Sequence, residues 1–367
     1  MTDQLLPTNA TPLEAAVEAA CDPTGRVTSG ITVTSGWKHA LRPPDLLPFL
    51  VHEYGLDILL PYLDNLSDIL NQGLPWSRAR GTHDAVAQGL AMTGYSGLLV
   101  DPPARRLAWA EFEILLDRVR DVPADLDRIS GLVDLSVPVR STFRRGVHGY
   151  DFPAAETGYT RLGDCILGDD SGVHLKQGAP KWSFGRNYQV EHTLTEADLV
   201  ELDIWIPDVP SEQWVDMEFP WNTADLKWSE DIDLARRVSF GAALAAMTCW
   251  LRFADSEGAT IGYRLAACRG VAVGLNGYGF GSDFYTPSRT SPIGVHVFAR
   301  TGWGDGFGQE AASVSVIFDA NAEDSERPGA LWLDPAGLSG GTEVASYPIS
   351  IVFGETIREH VQFLMRF

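Results

Sequence analysis

Up to about residue 97 the apolar positions of this chain recur at helical spacing, and beyond it they fall into short alternating runs between turn signals. No one kind of element satisfies both periods. The chain is therefore expected to be α+β, with a helical part first and a β-rich part after it. At 367 residues, 45% of them hydrophobic, it is long enough to bury two cores.

Local signals mark the helices. Thr11-Pro12-Leu13-Glu14 has the form of a capping box with proline at the first helical position. The Thr11 oxygen and the Glu14 carboxylate can each take a backbone N–H that the helix leaves over, which predicts a helix to about Ala20. Asp45 to Tyr54 predicts a second, ending at Gly55, with Pro48 in a first turn that needs no N–H from it. A third should run from Pro61 to about Asn71 and close at Gly73. A fourth should follow Thr82 as N-cap, run from His83 to Thr93 with Val86, Leu90 and Ala91 on one side, and stop at Gly94.

The period then changes. Ala108 to Ile114 alternates as a half-buried strand does, and Leu98-Leu99-Val100 is its expected antiparallel mate across Pro102-Pro103. Asp125 to about Asp134 returns to helical spacing. The expected division is a helical domain with a small β-hairpin over 1–146 and a larger β-rich, sandwich-like domain over 147–367. In the second, Thr195-Glu196-Ala197-Asp198 opens a short helix. The clearest hairpin joins Met247–Phe253 to Thr260–Ala266 through a turn at Asp255–Gly258. Further strands are expected at Gly294–Arg300, Ser313–Asp319, Ala330–Leu333 and Ile349–Phe353. A final strand over Ile357–Phe367 should place Ile357, Val361, Phe363, Met365 and Phe367 on one face.

Charge narrows the function classes. With 28 Lys+Arg against 49 Asp+Glu the chain carries −21, which repels phosphate backbones and anionic membranes, so neither nucleic acid nor membrane is expected as a partner. No run approaches a membrane span, and MTDQLLPTNATPLEAA lacks the basic start of a signal peptide, so the expected site of synthesis and assembly is the cytoplasm. Cys21, Cys165, Cys249 and Cys268 include no CxxC pair. Cys249 and Cys268 flank the Glu257-Gly258 turn nearly symmetrically and are expected close together as free thiols, not a disulfide.

No catalytic or metal constellation emerges. The histidines (His39, His52, His83, His148, His174, His192, His296, His360) never fall at the i, i+4 spacing of a helical metal pair, and no serine sits in Gly-x-Ser-x-Gly. The glycine cluster Gly274-Leu275-Asn276-Gly277-Tyr278-Gly279-Phe280-Gly281 has no Walker lysine after it and reads as a tightly turned β loop. No cofactor is expected. Residues 196–234 hold twelve acids and one base, Lys227, interleaved with Trp205, Trp214, Trp221 and Trp228. Such a stretch suits a partner-facing surface with aromatic anchors, and less readily sugar stacking or a glycosidase carboxylate pair. Arg140, Arg144 and Arg145 form a basic run able to pair with an acidic surface on this chain or on a neighbour.

Four segments in order give a resemblance: LLPTNATPLEAAVEAA, RPPDLLPFLVHEYGLD with the helix after it, RGTHDAVAQGLAMTG and LAWAEFEILLD, followed by Pro138-Val139-Arg140-Ser141. Together they resemble the tail protein I family of contractile-tailed phages, a baseplate wedge component. Gly149-Tyr150-Asp151 and Lys181-Trp182-Ser183-Phe184-Gly185 are similar to the continuation found in longer members. The chain departs from the pattern at Arg80-Gly81-Thr82, where Lys-Gly-Thr is usual, and at Leu74-Pro75-Trp76, where acids are common. The β-rich part from about Gly149 lies outside the commonly shared core.

The resemblance implies a structural virion protein without catalytic residues, located in the tail baseplate and assembled in the host cytoplasm. Its N-terminal helices would bind a larger baseplate wedge protein, and its C-terminal part would dock a tail fibre or receptor-binding protein, with central hub proteins as further candidates. The residues expected at the wedge interface are Leu46, Leu47, Phe49 and Leu50, and those for docking are Trp205, Trp214, Trp221 and Trp228. The alternative is a glycan-binding module or glycoside hydrolase acting on host polysaccharide through the C-terminal domain.

Overall fold

The computed structural model describes residues 6–7, 9–36, 42–100, 109–155, 165–204, 230–275, 277–323 and 329–367, with the backbone alone given for 32–35, 230–233 and 235. Helix precedes sheet, and the chain is α+β. Two compact units are present. One is Met1–Gly94 with Gly131–Val139, the other Tyr95–Ser130 with Arg140–Phe367. The expected boundary at 146/147 falls inside a strand, because the residues around 97–116 and 142–148 join the large sheet.

The helical unit comprises α1 (Pro12–Cys21), α2 (Thr24–Gly36), a 3-10 turn leading into α3 (Leu47–Glu53), α4 (Leu66–Ala79), α5 (His83–Met92) and the last residues of α6 (Pro123–Ser136). The capping box of α1 forms as read: Glu14 Oε2 accepts from the Thr11 N–H at 2.7 Å, and the Thr11 hydroxyl accepts from the Glu14 N–H. Thr82 caps α5, and Gly94 takes the positive φ (77°) that ends it. The core is built from Leu50, Val51, Leu56, Leu59, Ile69, Leu70, Trp76, Ala85 and Leu132.

The third helix departs from expectation at both ends. It starts at Leu66, because the Asn65 side chain accepts from the Ser67 N–H at 3.0 Å and caps it there. It passes through Gly73 and Pro75 to Ala79. Gly73 is a packing glycine, since an added Cβ would stand 2.9 Å from Leu59 Cδ1 and 3.2 Å from both Leu56 methyls. Trp76, fully buried, donates from Nε1 to the Ser136 hydroxyl at 2.8 Å and holds the helix past its proline. Helix α2 had no counterpart in the sequence reading, for its sequence, TGRVTSGITVTSG, is rich in β-branched residues and glycine.

The second unit is a sandwich of two sheets. The expected hairpin pairs β1 (Gly97–Val100) antiparallel to β2 (Glu111–Leu116). Helix α6 leads on to β3 (Thr142–His148), β4 (Val173–His174), β5 (Lys181–Thr193), the short α7 (Glu196–Glu201) and α8 (Glu230–Ala246). Then come β6 (Cys249–Ala254), β7 (Thr260–Gly274), β8 (Tyr278–Phe280), β9 (Asp283–Pro287), β10 (Gly294–Arg300), β11 (Glu310–Ala322), β12 (Trp332–Leu333), β13 (Leu338–Val352) and β14 (Ile357–Arg366).

Strand order is β1-β2-β3-β5-β14-β10-β7-β6-β11-β13. The fifteen-residue β7 passes between sheets, pairing with β6 through Thr260–Ala266 and with β10 through Ala267–Val271. Inward residues of both sheets share one core, with Val297 and Phe363 from one side and Phe253, Val316 and Phe318 from the other. Thr195 and Asp198 form a capping box on α7. The glycine cluster opens at the end of β7 and runs into the β8–β9 hairpin. Cys249 and Cys268 are free thiols. Burial pushes the Cys268 thiol up to about 12 and Cys249 well above its ordinary value.

Candidate functional site

The candidate surface of the helical unit begins with α1 and α2. Helix α1 buries no residue. Leu13, Val17, Val27 and Ile31 are all exposed, at spacings of four that place each pair on one helix face. Gly25 and Gly30 of α2 have no atom within 4 Å of where a Cβ would be. Asp22 accepts from the Thr24 N–H at 2.8 Å at the start of α2, and the bonds to Thr24 hold its carboxyl below the usual range. A helix of this length and composition gains little from propensity alone.

The four residues expected at a wedge interface separate into two roles. Leu50, 1% exposed, belongs to the core of its own unit and is not available to a partner in the folded chain. Leu46 and Leu47 are partly buried against the same core. Phe49 is 70% exposed and projects from α3 as an apolar side chain with Ile58 and Leu60 also exposed in the same unit. Periodicity could not separate Phe49 from Leu50, because adjacent positions in a helix lie about 100° apart and only packing decides which faces inward. Trp205, Trp214, Trp221 and Trp228 lie outside the described residues.

In the β-rich unit the basic run meets acids of its own chain. Arg145, only 3% exposed, donates to Glu113 from Nε and from one terminal nitrogen, both at 3.0 Å, and to Asp151 at 2.8 Å. Burial works to lower its pKa, and the Glu113 and Asp151 carboxylates outweigh that and leave it raised. Arg144 reaches Glu111 at 3.1 Å, Asp169 at 2.8 Å and Asp170. The hydrogen bond from Lys181 is the main reason the Asp169 carboxyl is held down to about 2. Of the three arginines only Arg140 is exposed. Arg144 and Arg145 thus fasten β2 and β3 to the loops that follow, a structural task.

A layer of buried polar groups on β14 escaped the sequence reading. Glu359 is 1% exposed and meets Arg186 at 3.4 Å, and burial pushes its carboxyl up to about 7. Burial also pulls His296 down to about 4 and His360 down to about 3, the latter with help from Arg300. His296 Nε2 lies 3.0 Å from Gln362 Oε1, and Gln362 in turn donates to Asn187 at 2.6 Å. Alternation marked one face of this strand as apolar, whereas residues of both faces are buried along β14, which is an inner strand between β5 and β10.

Two of the surface depressions of this unit are lined by described residues. One, of about 470 Å³, is lined by Asp255, Glu310 and Asp334 among others, but Asp255 Oδ1 already accepts the Glu257 and Ala259 N–H groups of its own turn at 2.9 Å. The other lies between α8, β7 and the loop after β9. Among the described residues no group of three His, Cys, Asp or Glu is placed to hold a metal, and no helix is long and apolar enough to cross a membrane.

Exposed apolar residues on α1, α2 and α3 in one unit, and ion pairs such as those of Arg145 with Glu113 and Asp151 in the other, are the features the two units present. Residues 6–132, about a third of the chain, match the model of the phage tail protein family Tail_P2_I, and in this part the chain is similar to that family. The match ends within α6, before β3. No curated protein matches the chain.

Proposed function

We propose that the protein is a wedge subunit of the tail baseplate, joined to a larger wedge protein through α1 and α2 and carrying a tail fibre or receptor-binding protein on its C-terminal unit. The observation that supports this reading most is that α1 buries nothing within the chain while Leu13, Val17, Val27 and Ile31 stand exposed on α1 and α2. Apolar helix faces of this kind suit docking into a partner's groove or bundle. Phe49 extends the same role to α3, while Leu46 and Leu47 shape its base. The tryptophans at 205, 214, 221 and 228 remain the proposed anchors for fibre docking.

The test is size-exclusion chromatography with light scattering on the full chain mixed with its neighbouring baseplate proteins. The wild type should form a stoichiometric complex. Leu13→Asp with Val17→Asp, and separately Val27→Asp with Ile31→Asp, should abolish it while leaving the melting temperature unchanged, since none of these residues is in a core. Complexes that survive both pairs would overturn the assignment of the helices.

A further inference from the structure

Strand β8 lies off the main path of the sheet and pairs with β9 alone. Its side chains nevertheless pack on the outer face of other strands. Tyr278 meets His296 and Phe298 of β10 with ring centroids 4.8 and 5.4 Å apart, and Arg269 of β7 donates to its hydroxyl at 2.7 Å. On the far side Gln189 of β5 grips the segment twice, donating to the Gly279 carbonyl at 3.1 Å and accepting from the Gly281 N–H at 2.9 Å. Gly277 and Gly281 flank it at positive φ (153° and 59°), where the backbone can turn without a side chain in the way. The segment is thus a short strap, half-buried at Tyr278 and Phe280, clamped at both ends by side chains.

His296, 1% exposed, lies under the strap. A chain of side chains fixes its tautomer. Gln362 donates to Asn187 Oδ1 at 2.6 Å, so its own Oε1 accepts the N–H of His296 Nε2 at 3.0 Å. Nδ1 is left as a bare lone pair, and among the described residues it has no hydrogen-bond partner. A second proton must therefore go to Nδ1, making a buried cationic donor with nothing to accept it. The neighbouring charges add to the cost. By register this face carries Arg269 on β7, Arg300 on β10, and Arg358, His360 and Arg366 on β14. Glu191 is the one carboxylate that the described residues of these strands and β5 place there, and it is paired with Arg366. Tyr285 of β9 accepts from Arg366 at 2.9 Å, and Asp283 at the hairpin turn is exposed. Burial, with help from Arg269, holds His296 down to about 4.

Water at Nδ1 relieves a protonated His296, and of the elements around the imidazole β8 is the one with the fewest ladder bonds to break. We infer that β8 is an acid-released strap: protonation of His296 lifts residues 277–282 off the face of β10 and β14, admits water to the imidazole and leaves the rest of the sandwich folded. The device lies wholly within the β-rich unit and does not depend on the wedge role.

The test is hydrogen exchange by mass spectrometry on the full chain from pH 7 to pH 4, with labelling times scaled for the intrinsic exchange rate. A histidine of about 4 under the strap and an ordinary 6.5 once open predicts that protection over 277–282 falls about a hundredfold across that range, with β10 and β14 still protected. His296→Gln keeps a donor for Gln362 but cannot titrate, so its strap should show no pH dependence. Gln189→Ala, at an exposed position that leaves the fold intact, should lower protection of the same residues already at pH 7 while keeping the pH dependence. Protection unchanged by acid in the wild type, an acid effect that survives His296→Gln, or a strap indifferent to Gln189→Ala would each overturn the inference. So would an equal loss over β10 and β14, which reports acid unfolding of the whole unit.

Discussion

Arg145 shows what the basic run does at the scale of one side chain. A guanidinium 3% exposed and shared between Glu113 and Asp151 has exchanged water for two carboxylates. Removing it leaves those acids partly buried and unpaired, so Arg145→Ala should destabilise the β-rich unit by about 3–5 kcal/mol in urea unfolding. The neighbouring positions on α3 supply a sharper contrast. Leu50→Ala should cost about 2–5 kcal/mol by opening a cavity, whereas Phe49→Ala should leave stability within about 0.5 kcal/mol and weaken partner binding instead. The sequence identified both the arginines and the α3 leucines as important, and left open whether the arginines' acids lay on this chain. What it could not show was which of two adjacent apolar residues faces inward, a question that packing alone decides.

At the scale of elements, legibility followed the range of the interactions involved. The capping box at Thr11, the helix opening at Thr195, the stop at Gly94 and the β6–β7 hairpin rest on residues a few positions apart, and each stands where the sequence placed it. The parallel pairs β2–β3, β3–β5 and β5–β14 join residues far apart in the chain and leave no local signature, so β3 and β5 went unforeseen. Gly73 reads in the sequence as the end of α4, whereas its reason, close packing against Leu56 and Leu59, lies in the core. Helix α2 makes its own prediction. Gly25→Ala with Gly30→Ala meets open space, so each should raise the stability of the isolated helix by about 1 kcal/mol, read by circular dichroism of a peptide spanning α1 and α2. If those glycines lie against a partner's backbone, the same pair should weaken the complex.

For the whole molecule, the buried groups on β14 and β10 set a pH profile. Glu359 titrates at about 7 when folded against an ordinary 4.5, so the stability it contributes is complete below 4.5 and is lost as pH rises through about 7. His296 and His360 run the other way. Their values of about 4 and about 3 lie below the ordinary 6.5, so their contribution is complete above 6.5 and is lost as pH falls through those values. Each amounts to on the order of 3 kcal/mol or more, and together they place maximum stability near neutrality. Between 4.5 and 6.5 the two histidines outweigh Glu359, so the melting temperature should rise with pH to about 6.5 and change little above about 7, and Glu359→Gln should steepen the rise between 4.5 and 6.5.

The central claim is that α1 and α2 gain their burial from another protein. Hydrogen exchange over Pro12–Gly36 tests it most directly, measured by mass spectrometry on the full chain alone and in complex with its baseplate neighbours. The account predicts rapid exchange in the free chain, because helices that bury nothing are marginal in water, and strong protection in the complex. Protection already present in the free chain, or exchange unchanged by complex formation, would contradict it.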